Sequence, residues 1–170
     1  MKKIIVLLSL LSGALITKAQ DTKPFTPTGD AKYYDFWVGD WHKILKDKKD
    51  TKVEFNVKKS IHPAAFYEEW DMQIDSVTRI KAVALRAWDK TNSKWAYTWV
   101  SDNGLYQVWD TQKVGNDWYI VKQFTINGDT FLSRQAWIPM ADGKVKRVGE
   151  RSHDNGITWQ PRYIEYFERK

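Results

Sequence analysis

The strongest constraint on the fold is a series of tight-turn signals, which separate short apolar-rich segments from Trp41 to the C-terminus. These signals are Asp89-Lys90-Thr91-Asn92, Asp102-Asn103-Gly104, Gly115-Asn116-Asp117, Asn127-Gly128 and Asp142-Gly143. Asn-Gly and Asp-Gly tolerate the positive φ angles that two-residue hairpin loops require. No window after Trp41 shows the apolar period of a helix. The chain is therefore predicted to be all-β, with consecutive strands joined as hairpins.

Ten strands are predicted between these turns. They span about Trp41–Lys46, Thr51–Ser60, Ala65–Ile74, Ile80–Trp88, Lys94–Ser101, Leu105–Gln112, Trp118–Ile126, Thr130–Ile138, Lys144–Ser152 and Thr158–Arg169. Hairpin-linked strands form an antiparallel up-and-down meander, and a long meander leaves exposed edges unless it closes. We therefore predict a closed barrel over residues 31–170, with a two-sheet β-sandwich as the alternative. A short helical turn within Ala31–Val38 is expected to cover one end.

The N-terminal residues have the pattern of a secretory signal peptide. Met1-Lys2-Lys3 is basic, Ile4–Ile16 is apolar, and Ala19 is a small residue at the expected cleavage position. The apolar stretch is short for a membrane span. We expect a signal peptide over residues 1–19, a flexible tether over 20–30 that is rich in Pro, Thr and Lys, and a secreted or periplasmic location. A retained N-terminal anchor is the alternative.

Charge and cysteine content argue against several classes of protein. Removing Lys2, Lys3 and Lys18 with the signal peptide lowers the net charge from +6 to +3, which is a weak field for binding nucleic acid. The chain has no cysteine, so neither a disulfide nor a lipid-modified cysteine can form. Stability must come from packing, for which the ten tryptophans offer large side chains. No second apolar stretch is long enough for a membrane span.

The turns also predict which side chains share a face of the sheet. A two-residue loop at Asn127-Gly128 places Val121 opposite Arg134, and a three-residue loop at 141–143 places Arg134 opposite Glu150. The face interpreted as the lumen contains Trp95, Tyr97, Trp99, Tyr106, Val108, Tyr119, Val121, Gln123, Leu132, Arg134, Val148, Glu150 and Ser152. The more charged face, predicted to point outwards, contains Arg86, Thr98, Gln107, Lys122, Gln135 and Arg147 with several tryptophans.

The predicted lumen has the composition of a site for a small, mostly apolar ligand with one polar end. The apolar wall is expected from Trp95, Tyr97, Trp99 and Tyr106, and the groups that orient the polar end from Gln123, Arg134, Glu150 and Glu68. A structural Arg134–Glu150 ion pair is the alternative for that pair. Glu150 with Arg134, or Glu68 and Glu150 together, could also support acid–base chemistry, as in a small-barrel enzyme. Exposed tryptophans that stack on sugars would instead indicate a carbohydrate-binding module.

One turn near the C-terminus carries a specific motif. Ser152-His153-Asp154-Asn155-Gly156-Ile157-Thr158-Trp159 matches S-x-D-x-G-x-T-W and resembles the Asp-box of sialidases and other β-proteins. Asp154 is expected to accept N–H bonds within the turn, Gly156 to take a positive φ, and Trp159 to pack on the hairpin. A single copy cannot build a propeller. We therefore assign a structural role to Ser152, Asp154, Gly156, Thr158 and Trp159.

Further motifs are distributed over most of the chain. They are Asp35-Phe36-Trp37-Val38-Gly39-Asp40-Trp41, Glu68-Glu69-Trp70, Trp99-Val100, Arg134-x-x-Trp137-x-Pro139, Asp142-Gly143 and the segment from Glu150 to Trp159. Together they resemble a family of uncharacterised, often secreted bacterial proteins with a calycin-like fold, related in shape to lipocalins. The resemblance implies a fold rather than an activity. Gly39-x-Trp41 is similar to the lipocalin G-x-W opening, where a late-strand arginine stacks on the tryptophan, and Arg169 is the candidate here.

The sequence predicts neither a cofactor nor a catalytic residue. His42, His62 and His153 are the only histidines, and none lies in an H-x-H or H-E-x-x-H pattern that would indicate a metal site. The glycine-rich first hairpin of nitrobindin-like haem barrels is also absent from the sequence. No motif supports a serine triad, so binding of a small, lipophilic molecule is favoured over catalysis.

The exported chain is expected to begin at Gln20, because the basic, apolar and cleavage regions of a signal peptide all precede it. Mass mapping of the N-terminus of secreted protein checks this prediction. An exported protein that still carries Met1 would contradict it.

Overall fold

A computed structural model describes residues 24–47 and 50–170. They form a 3-10 helix, Gly29–Trp37, and a closed barrel of ten antiparallel strands. The strands are β1 (Gly39–Lys43), β2 (Lys52–Lys59), β3 (Ala65–Gln73), β4 (Arg79–Asp89), β5 (Lys94–Ser101), β6 (Tyr106–Val114), β7 (Asp117–Ile126), β8 (Asp129–Pro139), β9 (Val145–Ser152) and β10 (Gln160–Arg169). The predicted up-and-down barrel is confirmed and is consistent with a calycin-like fold. The sandwich alternative is wrong, because β1 pairs with both β2 and β10.

The N-terminal predictions are tested only in part. The predicted signal peptide and residues 20–23 of the predicted tether lie outside the described residues. Residues 24–28 have no regular secondary structure, but Pro27 is buried and the Phe25 ring meets the His62 ring edge-on, with centroids 5.4 Å apart. This part of the predicted tether is therefore packed on the barrel. Within the described ranges, no helix combines the length and the apolar character of a membrane span.

The barrel interior is filled by pairing very large side chains with very small ones. Along β4, alternate residues are buried, and Ala82 and Ala84 point inwards. Ala82 lies opposite Trp70 of β3, and Ala84 lies opposite Trp99 of β5. Because cross-strand partners share a face, each alanine leaves space for a neighbouring indole. This arrangement lets the narrow lumen hold several tryptophans.

The predicted helical turn is the 3-10 helix, which closes one end of the barrel. Tyr34 and Trp37 are fully buried. The Trp37 ring packs against Phe55 and Trp41, with centroid distances of 4.9 and 5.8 Å. The Tyr34 hydroxyl donates a hydrogen bond of 3.2 Å to the Trp118 carbonyl. The helix thus acts as a plug whose aromatic side chains reach into the lumen.

The stacking of Arg169 on Trp41, expected from the resemblance, is observed. The guanidinium carbon lies 4.5 Å from the centroid of the Trp41 ring. The same group donates to the Val38 carbonyl at 2.6 Å and to the Phe36 carbonyl at 2.9 Å. Gly39 has a φ of +136°, and its missing side chain leaves space for the guanidinium. The last strand is therefore fastened to the chain segment that joins the helix to β1.

The turn from Ser152 to Trp159 has the local bonding that its sequence predicts. Asp154 Oδ1 accepts hydrogen bonds from the Ser152 hydroxyl at 2.6 Å and from the Thr158 N–H at 2.9 Å. These bonds lower the pKa of the Asp154 carboxyl to about 2. Gly156 has a φ of +88°, and its carbonyl accepts a 3.0 Å bond from the Trp159 indole.

The sheet register is predicted correctly at two hairpins. Val121 lies opposite Arg134, and Arg134 lies opposite Glu150. At the β5–β6 hairpin, however, 102–104 form a three-residue loop closed by a 3.0 Å bond from the Ser101 N–H to the Leu105 carbonyl. The predicted faces require an even number of loop residues there. Because side chains alternate along a strand, a difference of one residue inverts every face that follows.

This difference corrects the predicted lumen from β6 to β9. The residues that point outwards instead are Tyr106, Val108, Tyr119, Val121, Gln123, Leu132, Arg134, Val148, Glu150 and Ser152. The residues that point inwards instead are Gln107, Lys122, Gln135 and Arg147. Arg86 also points inwards, because it lies opposite Tyr97 on β5. Trp95, Tyr97 and Trp99 point inwards as predicted, and Thr98 outwards.

Gly39→Ala is expected to lower the free energy of unfolding by more than Gly104→Ala does. Both glycines have a positive φ, but a Cβ at Gly39 would collide with the Arg169 guanidinium, whereas a Cβ at Gly104 meets no atom within 4 Å. Backbone strain alone costs about 1–3 kcal/mol. Urea denaturation of both variants measures the difference, and equal losses would contradict the close approach of Arg169.

Candidate functional site

The lumen contains a cavity of about 170 Å³. Its lining residues are Trp70, Met72, Tyr97, Trp99, Gln107, Trp109, Ile120, Gln135, Trp137 and Arg147. The 3-10 helix contacts the barrel near the start of β5, where Trp95 donates a 3.0 Å bond to the Asp30 carbonyl. Met72, Trp99 and Gln107 lie near the opposite ends of their strands. The cavity is therefore displaced from the helical plug towards the other mouth of the barrel.

Seven of the ten lining residues form an apolar, mostly aromatic wall. The Trp70 ring lies 5.7 Å from the Trp99 ring and 6.3 Å from the Trp137 ring, and the Tyr97 ring lies 6.2 Å from the Trp137 ring. Burial raises the pKa of the Tyr97 hydroxyl well above its ordinary value, so this side chain stays neutral. Such a wall offers flat, polarisable surface to a ligand.

The polar part of the cavity consists of Gln107, Gln135 and Arg147. Arg147 donates to the side-chain oxygen of Gln135 at 2.6 Å and to Glu165 at 3.0 Å. The Trp109 indole donates to the side-chain oxygen of Gln107 at 3.1 Å. About a fifth of the Arg147 side chain is accessible, although its Nε atom is buried and has no hydrogen-bond partner among the described residues.

Arg147 is held in place by two aromatic rings and a glycine. Its guanidinium carbon lies 5.3 Å from the Trp137 ring centroid and 5.1 Å from that of Tyr163. A Cβ at Gly149 would collide with the Tyr163 ring, so the absence of a side chain there lets that ring lie directly on the sheet. Because the guanidinium is confined between two rings, its donors have a fixed direction before any ligand arrives.

A fully buried ion pair lies behind the cavity wall. Glu68 Oε1 accepts hydrogen bonds of 2.9 Å from both Arg86 Nε and the Trp37 indole, and its Oε2 accepts one of 3.0 Å from the Trp70 indole. The Arg86 guanidinium carbon is 4.6 Å from the Tyr97 ring centroid. Further rings surround this guanidinium, those of Tyr34 and Trp137 at 4.3 and 4.8 Å. Three hydrogen bonds offset the desolvation of Glu68. The cation–π contacts offset that of Arg86, whose Nη1 and Nη2 atoms are buried without a hydrogen-bond partner among the described residues.

The predicted site residues are only partly brought together. Tyr97 and Trp99 line the cavity, whereas Trp95 packs beside the helix, with its ring 4.9 Å from that of Tyr34. Tyr106 is 70% exposed, and Gln123 is exposed on the outer face. Their predicted place in the lumen is wrong for the register reason given above.

The Arg134–Glu150 pair exists, but it lies on the outside of the barrel. Arg134 Nε donates to Glu150 Oε2 at 2.6 Å. The guanidinium carbon lies between the rings of Tyr119 and Trp159, at 4.7 and 4.0 Å from their centroids. The predicted cross-strand pairing is confirmed and the predicted lumen position is wrong. Glu68 points into the barrel and Glu150 points out of it, so the two carboxylates do not form the acid–base pair considered from the sequence.

Sequence reasoning missed eight of the cavity residues. These are Trp70, Met72, Gln107, Trp109, Ile120, Gln135, Trp137 and Arg147. One available signal was the distribution of tryptophan, because Trp109, Trp118 and Trp137 all fall on the face that was predicted to point outwards. Large indoles are highly buried on average. Giving this distribution more weight than the assumed loop length would have identified the inner face.

A wider depression of about 500 Å³ lies at the ends of β3, β4 and β5. Its three carboxylates are already bonded within the protein: Asp102 accepts from the Lys81 backbone N–H at 3.1 Å, Glu69 accepts from Lys58 at 3.2 Å, and Asp71 pairs with Arg79. The lumen cavity is the stronger candidate site because its polar groups still have unused donors.

Comparison with known proteins gives no assignment: no model of a protein family and no curated protein matches the chain. Within residues 24–47 and 50–170, no group of three or more histidines, aspartates and glutamates is placed to hold a metal ion.

The Glu68–Arg86 pair should show strong coupling in a double-mutant cycle. Glu68→Gln or Arg86→Met alone leaves a buried charge without its partner, which costs roughly 3–5 kcal/mol, and the double variant should be milder than the sum of the single ones. The matched control is Arg134→Met with Glu150→Gln on the outer face, where the side chains are 13% and 21% exposed, so their coupling should be weaker than that of the fully buried pair. Chemical denaturation measures both cycles. Stronger coupling in the outer pair would contradict the assignment of faces.

Proposed function

We propose that the barrel binds a small, mostly apolar molecule in its lumen. The observation that carries this proposal is the cavity itself, whose wall is aromatic or aliphatic at seven of its ten lining residues and polar at the other three. Ligand sites are typically apolar concave spaces with a few polar groups that fix orientation. The cavity has this composition inside a closed barrel.

The size of the cavity limits the ligand to about one ring. Typical sites for drug-sized ligands have volumes of about 300–1,000 Å³. An engineered protein cavity of about 150 Å³ binds benzene. At about 170 Å³, the lumen cavity has space for a single six-membered ring with one short substituent. A porphyrin or a long acyl chain would require the wall to move.

The surroundings of the cavity favour binding without large rearrangement. The wall is supported from behind by the Glu68–Arg86 pair, and the plugged end of the barrel is filled by Tyr34 and Trp37. A site that is already ordered loses little conformational entropy when a ligand binds. Met72 and Trp99 are only partly buried, which favours entry of a ligand from the mouth opposite the helix.

The two alternative functions have less support. All ten tryptophans belong to the described part of the chain, and none of them is exposed, so the exposed tryptophans expected of a carbohydrate-binding module have no candidate residue. The enzyme hypothesis relied on Arg134 and Glu150, which lie outside the lumen. Export of the chain remains a proposal that rests on residues 1–19 alone.

Filling the cavity should weaken binding of a ring-sized molecule while leaving the barrel folded. Met72→Trp places a large ring in the cavity at its partly buried rim, and it should weaken binding of fluorobenzene, a ring-sized probe observed by ¹⁹F NMR, by at least tenfold. The matched control is Val108→Trp, because Val108 is exposed on the outer face of β6. Equal affinity of both variants for the probe would show that the ring binds elsewhere.

A further inference from the structure

The side chains of Gln107, Gln135 and Arg147 offer the lumen cavity mostly hydrogen-bond donors. An indole N–H can only donate, so the atom of Gln107 that receives the 3.1 Å bond from Trp109 must be its carbonyl oxygen. A guanidinium can also only donate, so Gln135 likewise uses its oxygen to accept the 2.6 Å bond from Arg147. In both glutamines the acceptor is therefore engaged within the protein, and the NH₂ group is left for a ligand.

Arg147 adds further donors to the same space. It has five N–H groups and no acceptor, and two of these groups are used by Gln135 and Glu165. Its side chain is partly accessible and lines the cavity. A cationic ligand end, such as an ammonium group, would meet the positive guanidinium of Arg147, and the two glutamine oxygens already accept one bond each within the protein.

The local charge balance is positive. Glu165 is shared by two cations, since its carboxylate lies 3.0 Å from Arg147 and 2.9 Å from Lys43. One carboxylate therefore faces two positive charges, so these three side chains together carry a net charge of +1. Behind the wall, Glu68 and Arg86 form a neutral pair, so they do not change this balance. Among the residues that line the cavity, Arg147 is the one charged side chain.

We propose that the ligand is a small aromatic carboxylate, with its ring against the tryptophan wall and its carboxylate on Arg147, Gln107 and Gln135. This inference rests on the proposed lumen-binding function. A carboxylate has acceptors only, and its planar shape matches the planar guanidinium. Its single negative charge would balance the net positive charge of Lys43, Arg147 and Glu165. The ring with its carboxylate also agrees with the volume of the cavity, which leaves little space for a larger dianion.

The test compares four probes of nearly the same size with the unmodified protein. They are fluorobenzene, 4-fluorobenzyl alcohol, 4-fluorobenzylamine and 4-fluorobenzoate, each titrated at neutral pH and followed by ¹⁹F NMR. We expect 4-fluorobenzoate to bind at least tenfold more tightly than 4-fluorobenzyl alcohol, and 4-fluorobenzylamine to bind most weakly. Because no residue is changed, this comparison does not depend on the folding of a variant.

Variants then identify the residue that selects the anion. Arg147→Met should reduce affinity for 4-fluorobenzoate at least tenfold while changing that for fluorobenzene little. Arg134→Met is the matched control, because Arg134 also lies between two aromatic rings and pairs with a glutamate, but on the outer face. It should leave both affinities unchanged. Thermal unfolding of each variant checks that the barrel is intact. If Arg147→Met does not fold, Arg147→Lys is measured in its place, because it retains the positive charge.

The outcomes separate this inference from the function on which it rests. If none of the four probes binds, the proposed lumen-binding function is overturned. If 4-fluorobenzyl alcohol or 4-fluorobenzylamine binds as tightly as 4-fluorobenzoate, the lumen site stands and the carboxylate inference is overturned. If Arg134→Met rather than Arg147→Met removes the preference for the anion, the site assigned to the carboxylate is wrong.

Discussion

The carboxylate of Glu68 is the interaction on which the interior of this barrel depends. It accepts hydrogen bonds from the helix through Trp37, from its own strand through Trp70, and from β4 through Arg86. If Glu68 were removed, two indole N–H groups and a guanidinium would stay buried and lose their shared acceptor. Each buried donor left without an acceptor lowers the free energy of unfolding. One side chain therefore couples the helical plug, the cavity wall and the barrel sheet. Any rearrangement of the plug would have to break this set of bonds.

The same dense packing explains why the lumen is small. A ten-stranded barrel encloses considerable space, but much of it is occupied by the aromatic rings of Trp37, Trp41, Trp70, Trp95 and Trp137. Without disulfides, burial of such large apolar surfaces is the main stabilising contribution open to the chain. The cavity is the space that these rings do not fill. The size of the proposed ligand thus follows from the way in which the fold is stabilised.

Arg134 and Arg147 show how strongly position determines function in a barrel. Each guanidinium lies between two aromatic rings and is bonded to a glutamate from the neighbouring strand. The outer one fastens the turn from Ser152 to Trp159 to the sheet through its contact with Trp159. The inner one faces an apolar cavity, where a charge is poorly screened and interacts strongly with an ion. Their chemistry is nearly the same, and only the face of the sheet distinguishes their roles.

The sequence by itself determined the all-β class, the ten strands, the Asn127-Gly128 hairpin register and the bonding of the Ser152–Trp159 turn, because each depends on residues close together in the chain. It also predicted Arg169 on Trp41 through resemblance to a known motif. The tertiary structure decided which face forms the lumen. The face on which each side chain lies depends on the lengths of all the loops before it. The three-residue loop at 102–104 reversed the predicted faces from β6 onwards. The cavity residues were therefore hidden from local reasoning, since the alternation of side chains converts one residue of loop length into a change from outside to inside.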